Sequence, residues 1–464
     1  MPYDFDLVCL GSGPAGQRAA VQAAKLGKRA AVVEKLRCLG GVCVDTGTIP
    51  SKTLREAVLY FSRLSGRFDR RREGRGESRP TADQLLARVE EVVQREAEVV
   101  EDQLRRNDVT LVRGEGSFKD PHTVMVESDG GWRVLSAAHV LIATGTVPAQ
   151  PAGVPADEEV IMTTDGVLQI KQLPRAMVVV GGGVIGIEYA SMFSALGVAV
   201  TLVEKRDRPL EFVDQEILDE LIHQMRSRKV AFRLGEAVER LETDEGPPRR
   251  AVVLLESGKR IVSDVVLFSV GRLGATDHLN LDAVGLCADS RGRLEVDHQF
   301  RTCVPHIFAA GDVIGYPSLA ATSSEQGRLA ACYAFGVATE PMGAHFPVGI
   351  YSIPEISMVG VPEHELTRSR VPYETGLARY REIARGQILG DDSGLFKMLF
   401  HRQDRRLLGV HAIGTGATEL IHIGQAVLGL GGGLDYFLKT VFNYPTLAEC
   451  YKVAALDAAN KLAR

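Results

Sequence analysis

The sequence predicts an α/β chain in which one strand–turn–helix–strand unit occurs twice, followed by a smaller C-terminal domain of α+β character. Three observations carry that prediction. A glycine fingerprint, Gly11-x-Gly13-x-x-Gly16, returns as Gly181-x-Gly183-x-x-Gly186. Leu26-Gly27 and Glu34-Lys35 return as Leu196-Gly197 and Glu204-Lys205, and each of these pairs lies 170 residues apart. Finally, 464 residues exceed what one ordinary hydrophobic core organises, so roughly two to four domains are expected. A period this long is no solenoid; it marks two copies of one unit at different places in the fold.

Each copy runs in the same order. An apolar strand (Asp6 to Leu10, then Ala176 to Val180) meets the glycine turn, an alanine-rich helical pattern follows, and a second strand ends in Glu34 or Glu204. A strand, three glycines, a helix and an acid 23 residues after the first glycine form the pattern of Rossmann-like dinucleotide binding. The first glycine allows the tight turn, the second lets the backbone approach a pyrophosphate, and the third lets helix and strand pack closely. The helix N-terminus offers unpaired N–H groups and partial positive charge to the phosphates. Glu34 and Glu204 would accept hydrogen bonds from ribose hydroxyls.

Between the copies, Ala82 to Arg106 carries apolar residues at helical spacing, including Leu85, Val89, Val92, Val93 and Val100, and is expected to form a long amphipathic helix. The arginine-rich stretch Arg67 to Arg79 is interleaved with Glu and Gly and reads as a solvated loop. From about Pro347 onward there is no glycine fingerprint. Strand-like runs such as Leu395 to Phe400 mix there with helical ones such as Ala448 to Leu462, so a third domain is expected.

Composition removes several function classes. With 54 Lys+Arg against 59 Asp+Glu the net charge is -5, which gives no general attraction to nucleic acid or anionic lipid. The N-terminus is acidic where a secretory signal is basic, and no run approaches the ~20 apolar residues of a membrane span. A cytoplasmic protein is expected. The seven cysteines are scattered and show no C-x-x-C spacing, which argues against a disulfide scaffold or a bound structural metal.

The segment Gly40-Gly41-Val42-Cys43-Val44-Asp45-Thr46-Gly47-Thr48-Ile49-Pro50-Ser51-Lys52 resembles the active-site segment of the pyridine nucleotide-disulfide oxidoreductases. Ala143-Thr144-Gly145, Val270-Gly271-Arg272 and Ala310-Gly311-Asp312 are similar to later motifs of that family, and the resemblance covers nearly the whole chain. It implies an FAD-binding domain over 1–148 and 274–345, an inserted NAD(P)-binding domain over 149–273, and an interface domain over 346–464 that forms a homodimer or a higher homo-oligomer. It implies FAD as cofactor, with NAD(H) and NADP(H) as substrates of the second unit. The cofactor-contacting set would be Gly11, Gly13, Gly16, Glu34, Lys35, Gly41, Cys43, Lys52, Thr144, Gly145, Gly181, Gly183, Gly186, Glu204, Arg206, Gly271, Gly311, Asp312 and Ala320. Lys52 and Glu188 would form the reactive ion pair near flavin N5, and Asp312 would hold the ribityl chain.

Two departures shape the functional expectation. Thr48 stands where the family has its second redox cysteine, and Tyr444, in Tyr444-Pro445-Thr446-Leu447-Ala448-Glu449, stands where it has a catalytic histidine. A dithiol relay needs two thiols and a base, and a tyrosine titrating near ~10 is no base at neutral pH. With Gly47 to Val58 (GTIPSKTLREAV) and Phe442 to Thr446, these departures are similar to the members of the family that exchange hydride between NADPH and NAD+ without a redox disulfide. Glu204 suits a 2'-hydroxyl, while Lys205, Arg206 and Arg208 can attract a 2'-phosphate or form a solvated loop. The rival expectations are a flavoenzyme that reduces quinones and a nucleotide-binding redox sensor.

Overall fold

The computed structural model describes residues 3–36, 38–68, 80–150 and 156–463. Phe5–Leu10 lies inside the first sheet, parallel to Ala30–Glu34 on one side and to Gly131–Ile142 on the other. Thr110–Arg113 extends the sheet past Ala30–Glu34, and Ile307–Ala309 joins in parallel beside Gly131–Ile142. Both faces of this sheet are covered. Leu7 and Cys9 point into one apolar cluster, Val8 and Leu10 into another, which is why the strand is a continuous apolar run rather than an alternating one.

The second copy repeats the order. Ala176–Val180 lies between Ala199–Glu204 and Val265–Phe268, with Ala231–Leu234 and Ile161–Met162 outside them, all parallel. An antiparallel meander, Val238–Asp244, Arg250–Leu255 and Arg260–Ser263, accompanies it. The chain enters and leaves this copy through Thr146–Pro148 and Arg272–Gly274, which pair antiparallel.

The C-terminal part is a five-stranded antiparallel sheet in the order Val348–Ile350, Ile356–Gly360, Leu407–Ile413, Leu395–His401, Tyr373–Arg379. Helices Ala417–Gly429 and Glu449–Leu462 cover one face, and the Tyr451 hydroxyl ties them by donating to the Leu420 carbonyl (2.9 Å) and accepting from the Gly424 N–H (2.8 Å). The other face packs on the second copy. One apolar cluster runs from Ile356, Leu395 and Ile413 through Met192 and Phe193 to Leu54 and Val58 of helix Thr48–Phe68 and to Leu85 and Val89 of helix Ala82–Arg105.

The α/β architecture with two Rossmann-like units and an α+β C-terminal domain is therefore as expected, and the expected long helix begins at Ala82 because Thr81 and Gln84 form a reciprocal capping box. From residue 69 on, the arginine-rich stretch lies outside the described residues. Among the described residues, no helix is long and apolar enough to cross a membrane.

Candidate functional site

The two glycine turns have the same internal logic. A Cβ on Gly16 would stand 1.9 Å from the Gly11 carbonyl oxygen, and one on Gly186 would stand 1.9 Å from that of Gly181, so helix and turn approach as closely as backbone permits. The middle glycines differ. A Cβ on Gly13 or Gly183 would meet nothing within 4 Å, and their φ values of -61° and -75° suit any residue. Protein packing does not require glycine there, and the space beside each is open. Neither helix has a side-chain cap, so its first N–H groups remain free for an anion.

Around the first turn, Glu34 Oε2 accepts from the Ser12 N–H (2.9 Å) and hydroxyl (2.7 Å), and Oε1 accepts from the Leu36 N–H (2.7 Å). The Ser12 hydroxyl in turn accepts from the Gly40 N–H at 2.9 Å. This draws Gly41 onto Gly13, where a Cβ would be 2.9 Å from the Gly13 Cα. The segment carrying Cys43 is thus clamped to the first glycine turn. Thr144, next to Gly11, has a buried Oγ1 without a hydrogen-bond partner among the described residues. Lys35 pairs with Glu115 at 3.0 Å on the surface.

The chain returns to the first helix at Gly311, before Asp312, where a Cβ would be 3.3 Å from the Ala15 Cβ. Ala320 opens helix Ala320–Ala334, whose Gly327 lies so near the first helix that a Cβ would be 2.0 Å from the Ala15 carbonyl oxygen. The Gly311 N–H donates to Gln326 at 2.9 Å. Burial pushes the Asp312 carboxyl up, against the pull of Arg272 and a hydrogen bond from Ser323. Gly145 and Gly271 flank the paired connecting strands: their carbonyls accept from the N–H groups of Ala275 and Ala149, each at 3.0 Å.

At the second turn, Glu204 is fully engaged. Its Oε2 accepts from the Gly182 N–H (2.6 Å) and Arg206 Nη2 (2.8 Å), and its Oε1 accepts from the Arg206 N–H (3.0 Å) and Nε (2.9 Å). Burial alone would raise this carboxyl, but the Arg206 fork and the two backbone donors bring it down to about 2. Arg208 pairs with Asp219. An open groove of about 470 Å³ adjoins, lined by Lys205, Arg206, Arg208, Glu211, Gln215 and Leu218 among others. Arg206 and Arg208 are anchored by carboxylates, not merely solvated.

Lys52 of helix Thr48–Phe68 and Glu188 of helix Val184–Ala195 meet with Nζ and Oε2 2.7 Å apart, and the Glu188 side chain is only 4% exposed. Glu188 Oε1 accepts from the Tyr351 N–H at 2.7 Å. Cys43 is a free thiol, pushed up chiefly by burial, while a hydrogen bond with Thr48 and the Lys52 charge pull the other way. Tyr444 is 67% exposed, and Glu449 Oε2 is buried without a partner among the described residues. No group of three or more metal-ligating side chains gathers among the described residues. The sequence had not pointed to Tyr351, nor to the partners of Arg272, which the Val270-Gly271-Arg272 motif marked without showing that it reaches Thr146 and Asp165: these contacts join remote segments, and no local pattern marks them.

Comparison with known proteins follows the same lines. The family model "Pyridine nucleotide-disulphide oxidoreductase" matches residues 5–327, and its dimerisation domain matches residues 346–455. The chain is 53% identical over 461 residues to the soluble pyridine nucleotide transhydrogenase of Mycobacterium bovis (strain BCG / Pasteur 1173P2), covering 99% of this chain and 98% of that one. It is 43% identical over 466 residues to the protein of that name from Pseudomonas fluorescens (strain SBW25), covering 99% of each. Among solved structures, LpdA from Mycobacterium tuberculosis superposes with a TM-score of 0.89 at 26% identity, over 97% of this chain and 98% of that one. The HOCl-induced flavoprotein disulfide reductase RclA from Escherichia coli superposes with a TM-score of 0.87 at 25% identity, over 97% and 99%. With both parts of the family model matched in order along a fold of two dinucleotide turns and a C-terminal antiparallel sheet, the chain belongs to the pyridine nucleotide-disulphide oxidoreductases.

Proposed function

We propose that this chain is an FAD-dependent pyridine nucleotide transhydrogenase, which moves hydride between NADPH and NAD+ in either direction without a redox disulfide. One observation carries the reading: two like dinucleotide turns frame a site in which Cys43 has Thr48, not a second thiol, as its neighbour. A disulfide reductase cannot work with one thiol, whereas hydride exchange between nucleotides needs none.

The first turn suits FAD. The space at Gly13, the uncapped helix behind it and the unpartnered Thr144 hydroxyl suit a pyrophosphate and a polar chain, with Glu34 at the adenosine ribose and Asp312 at the ribityl hydroxyls. Bound there, FAD supplies a two-electron hydride acceptor and donor. The protein's own part is placement. Gly183 and the helix after it hold the pyrophosphate of whichever nicotinamide nucleotide occupies the second unit, and Glu204 with Arg206 meets its adenosine ribose. Lys52, held by Glu188, sets a fixed positive charge toward the flavin.

Residues 1–148 and 274–345 form the FAD part, 149–273 the NAD(P) part and 346–464 the interface part. A second copy of the chain covers exposed apolar residues of the last part, such as Val441 at 92% exposure. The enzyme works in the cytoplasm, with no nucleic acid or membrane partner. The experiment is to supply purified, FAD-loaded protein with NADPH and an NAD+ analogue of distinct absorbance. Rapid transfer is expected; a quinone reduced much faster than the analogue would favour the quinone-reducing flavoenzyme instead.

A further inference from the structure

We infer that Tyr351, contributed by the C-terminal domain, is a positioning residue for the Lys52–Glu188 pair: its backbone N–H and ring face fix where the lysine charge rests. The inference depends on the proposed role of that pair beside the flavin and adds to it a third member.

Glu188 divides its two oxygens between two elements. Oε2 takes Lys52 Nζ at 2.7 Å, and Oε1 takes the Tyr351 N–H at 2.7 Å. Because the carboxylate is nearly enclosed, turning it would break two charge-assisted hydrogen bonds at once. Lys52 has three donors and uses them unevenly. One meets Glu188, one reaches Ser51 Oγ at 3.3 Å, and the ammonium lies 5.0 Å from the centre of the Tyr351 ring. That is inside the range in which the negative face of an aromatic ring attracts a cation.

The ring is itself held. Its hydroxyl lies beside Thr418, whose N–H and hydroxyl both donate to Glu355 Oε1 at 3.2 Å. Glu355 Oε2 pairs with Arg55 at 2.8 Å, both side chains 7% exposed. Arg55 lies on the same helix as Lys52 and approaches the same ring, 6.0 Å from its centre. The contacts therefore close a circuit that leaves helix Thr48–Phe68 at Lys52 and returns to it at Arg55. Lys52 keeps 26% exposure, so without the ring its long side chain has solvent-facing rotamers to occupy. A charge that wanders opposes negative charge on the flavin less well than a fixed one.

The test separates placement from packing. Leucine at 351 keeps the backbone N–H and much of the volume but has no aromatic face, whereas phenylalanine keeps the face and loses only the hydroxyl. In the FAD-loaded enzyme, the midpoint potential of the flavin is measured by equilibration with a reference dye, and flavin bleaching by NADPH is followed by stopped flow. Lys52→Met should lower the potential. Tyr351→Leu should lower it in the same direction by less, slow bleaching about tenfold and leave KM for both nucleotides within about twofold. Tyr351→Phe should retain the parent potential. In the double variant Lys52→Met/Tyr351→Leu the potential should fall no further than in Lys52→Met, because the ring acts only through the lysine. A parent-like potential in Tyr351→Leu beside a shifted one in Lys52→Met, or additive shifts in the double variant, would overturn the role of Tyr351 alone. An unmoved potential in Lys52→Met would overturn the pair's role and this inference with it.

Discussion

Arg206 lies across Glu204 as a two-pronged fork, Nε 2.9 Å from Oε1 and Nη2 2.8 Å from Oε2, at the end of strand Ala199–Glu204, where the adenosine ribose is proposed to bind. The carboxylate that would repel a 2'-phosphate is thus neutralised by the cation that would attract one. NADP(H) can draw Arg206 from Glu204 onto its phosphate, and NAD(H) can offer its 2'-hydroxyl to Glu204. On the proposed reading, one site then serves both nucleotides.

Arg206→Ala should raise KM for NADPH about tenfold or more and barely change KM for NADH, since it leaves the phosphate facing a bare carboxylate. Glu204→Ala should do the reverse, freeing the guanidinium for the phosphate and removing the ribose acceptor. Steady-state kinetics with each nucleotide decide it; equal weakening of both by both variants would make the fork a structural brace.

The same carboxyl sets a pH expectation. Its value in the fold is about 2, below the usual ~4.3, so its stabilising contribution is present above the usual value and is lost only as pH falls through about 2. Glu204 should therefore add no pH dependence of its own to KM for NADH between pH 5 and about 8, whereas KM for NADPH should rise below about 6, where the 2'-phosphate takes up a proton and pairs less well with Arg206. A break near pH 6 in KM for NADH, which carries no 2'-phosphate, would show that another group controls nucleotide choice.

Gly183→Val tests the turn without disturbing the fold around it. Because a Cβ there meets nothing within 4 Å and φ is ordinary, the variant should melt within a few degrees of the parent and retain yellow FAD. It should nevertheless bind both nicotinamide nucleotides at least about tenfold more weakly, since the added side chain stands where the pyrophosphate must approach. Titration of nucleotide against flavin absorbance measures this, and undiminished affinity would move the nucleotide elsewhere.

What could be read from the sequence, and what could not, divides along contact range. The strands Asp6 to Leu10 and Ala176 to Val180 and the turns after them were legible because glycine spacing and apolar runs are local consequences of backbone geometry. So was the long helix from Ala82. The clamp of Ser12 on Gly40 and the reach of Tyr351 to Glu188 were not, because residues far apart in sequence leave no periodic trace of their meeting. Arg206 is the intermediate case. Its charge was visible, but only the strand end and the Gly182 N–H show that Glu204, not solvent, is its partner.

Cys43 should prove chemically quiet. Burial holds its thiol above the usual range, with Asp312 pushing the same way against Thr48 and Lys52, so little thiolate exists at neutral pH. Cys43→Ser should keep hydride transfer within about tenfold of the parent, a barrier change near ~1.4 kcal/mol. Alkylation of the native enzyme at pH 7 should be slow at this residue, as read by mass spectrometry of the digested protein. Loss of activity with FAD retained would give the thiol a role in the reaction.

Lys397 offers the sharpest test of how the C-terminal sheet holds the nucleotide unit. Its side chain and that of Asp214 are fully buried; its Nζ lies 3.1 Å from Asp214 Oδ1 and 2.6 Å from Glu216 Oε2, and it also pairs with Glu363. Asp214 caps helix Gln215–Ser227, beside the groove that Arg206 lines, by accepting from the Glu216 N–H, and it accepts from the Glu363 N–H at 3.1 Å. Burial would push Asp214 up, yet it is held below the usual range; His411 beside it is driven down by burial and so is uncharged at neutral pH, which leaves Lys397 as the cation that holds it there. Lys397→Met then strands a buried carboxylate at a cost of about 3–5 kcal/mol. The sign with pH follows. A depressed carboxyl contributes stability above its usual value near ~3.9 and loses it as pH falls, while a raised lysine contributes below ~10.4 and loses that only at higher pH. The melting gap between parent and Lys397→Met should thus be widest and level from about pH 7 to 9 and narrow as pH falls toward about 4, where the stranded carboxyl takes up a proton. Asp214→Asn in the Lys397→Met background should recover part of the gap at pH 7 and none of it at pH 4. A gap that stays constant or widens on acidification would show that the lysine stabilises by packing its alkyl chain, not by its charge.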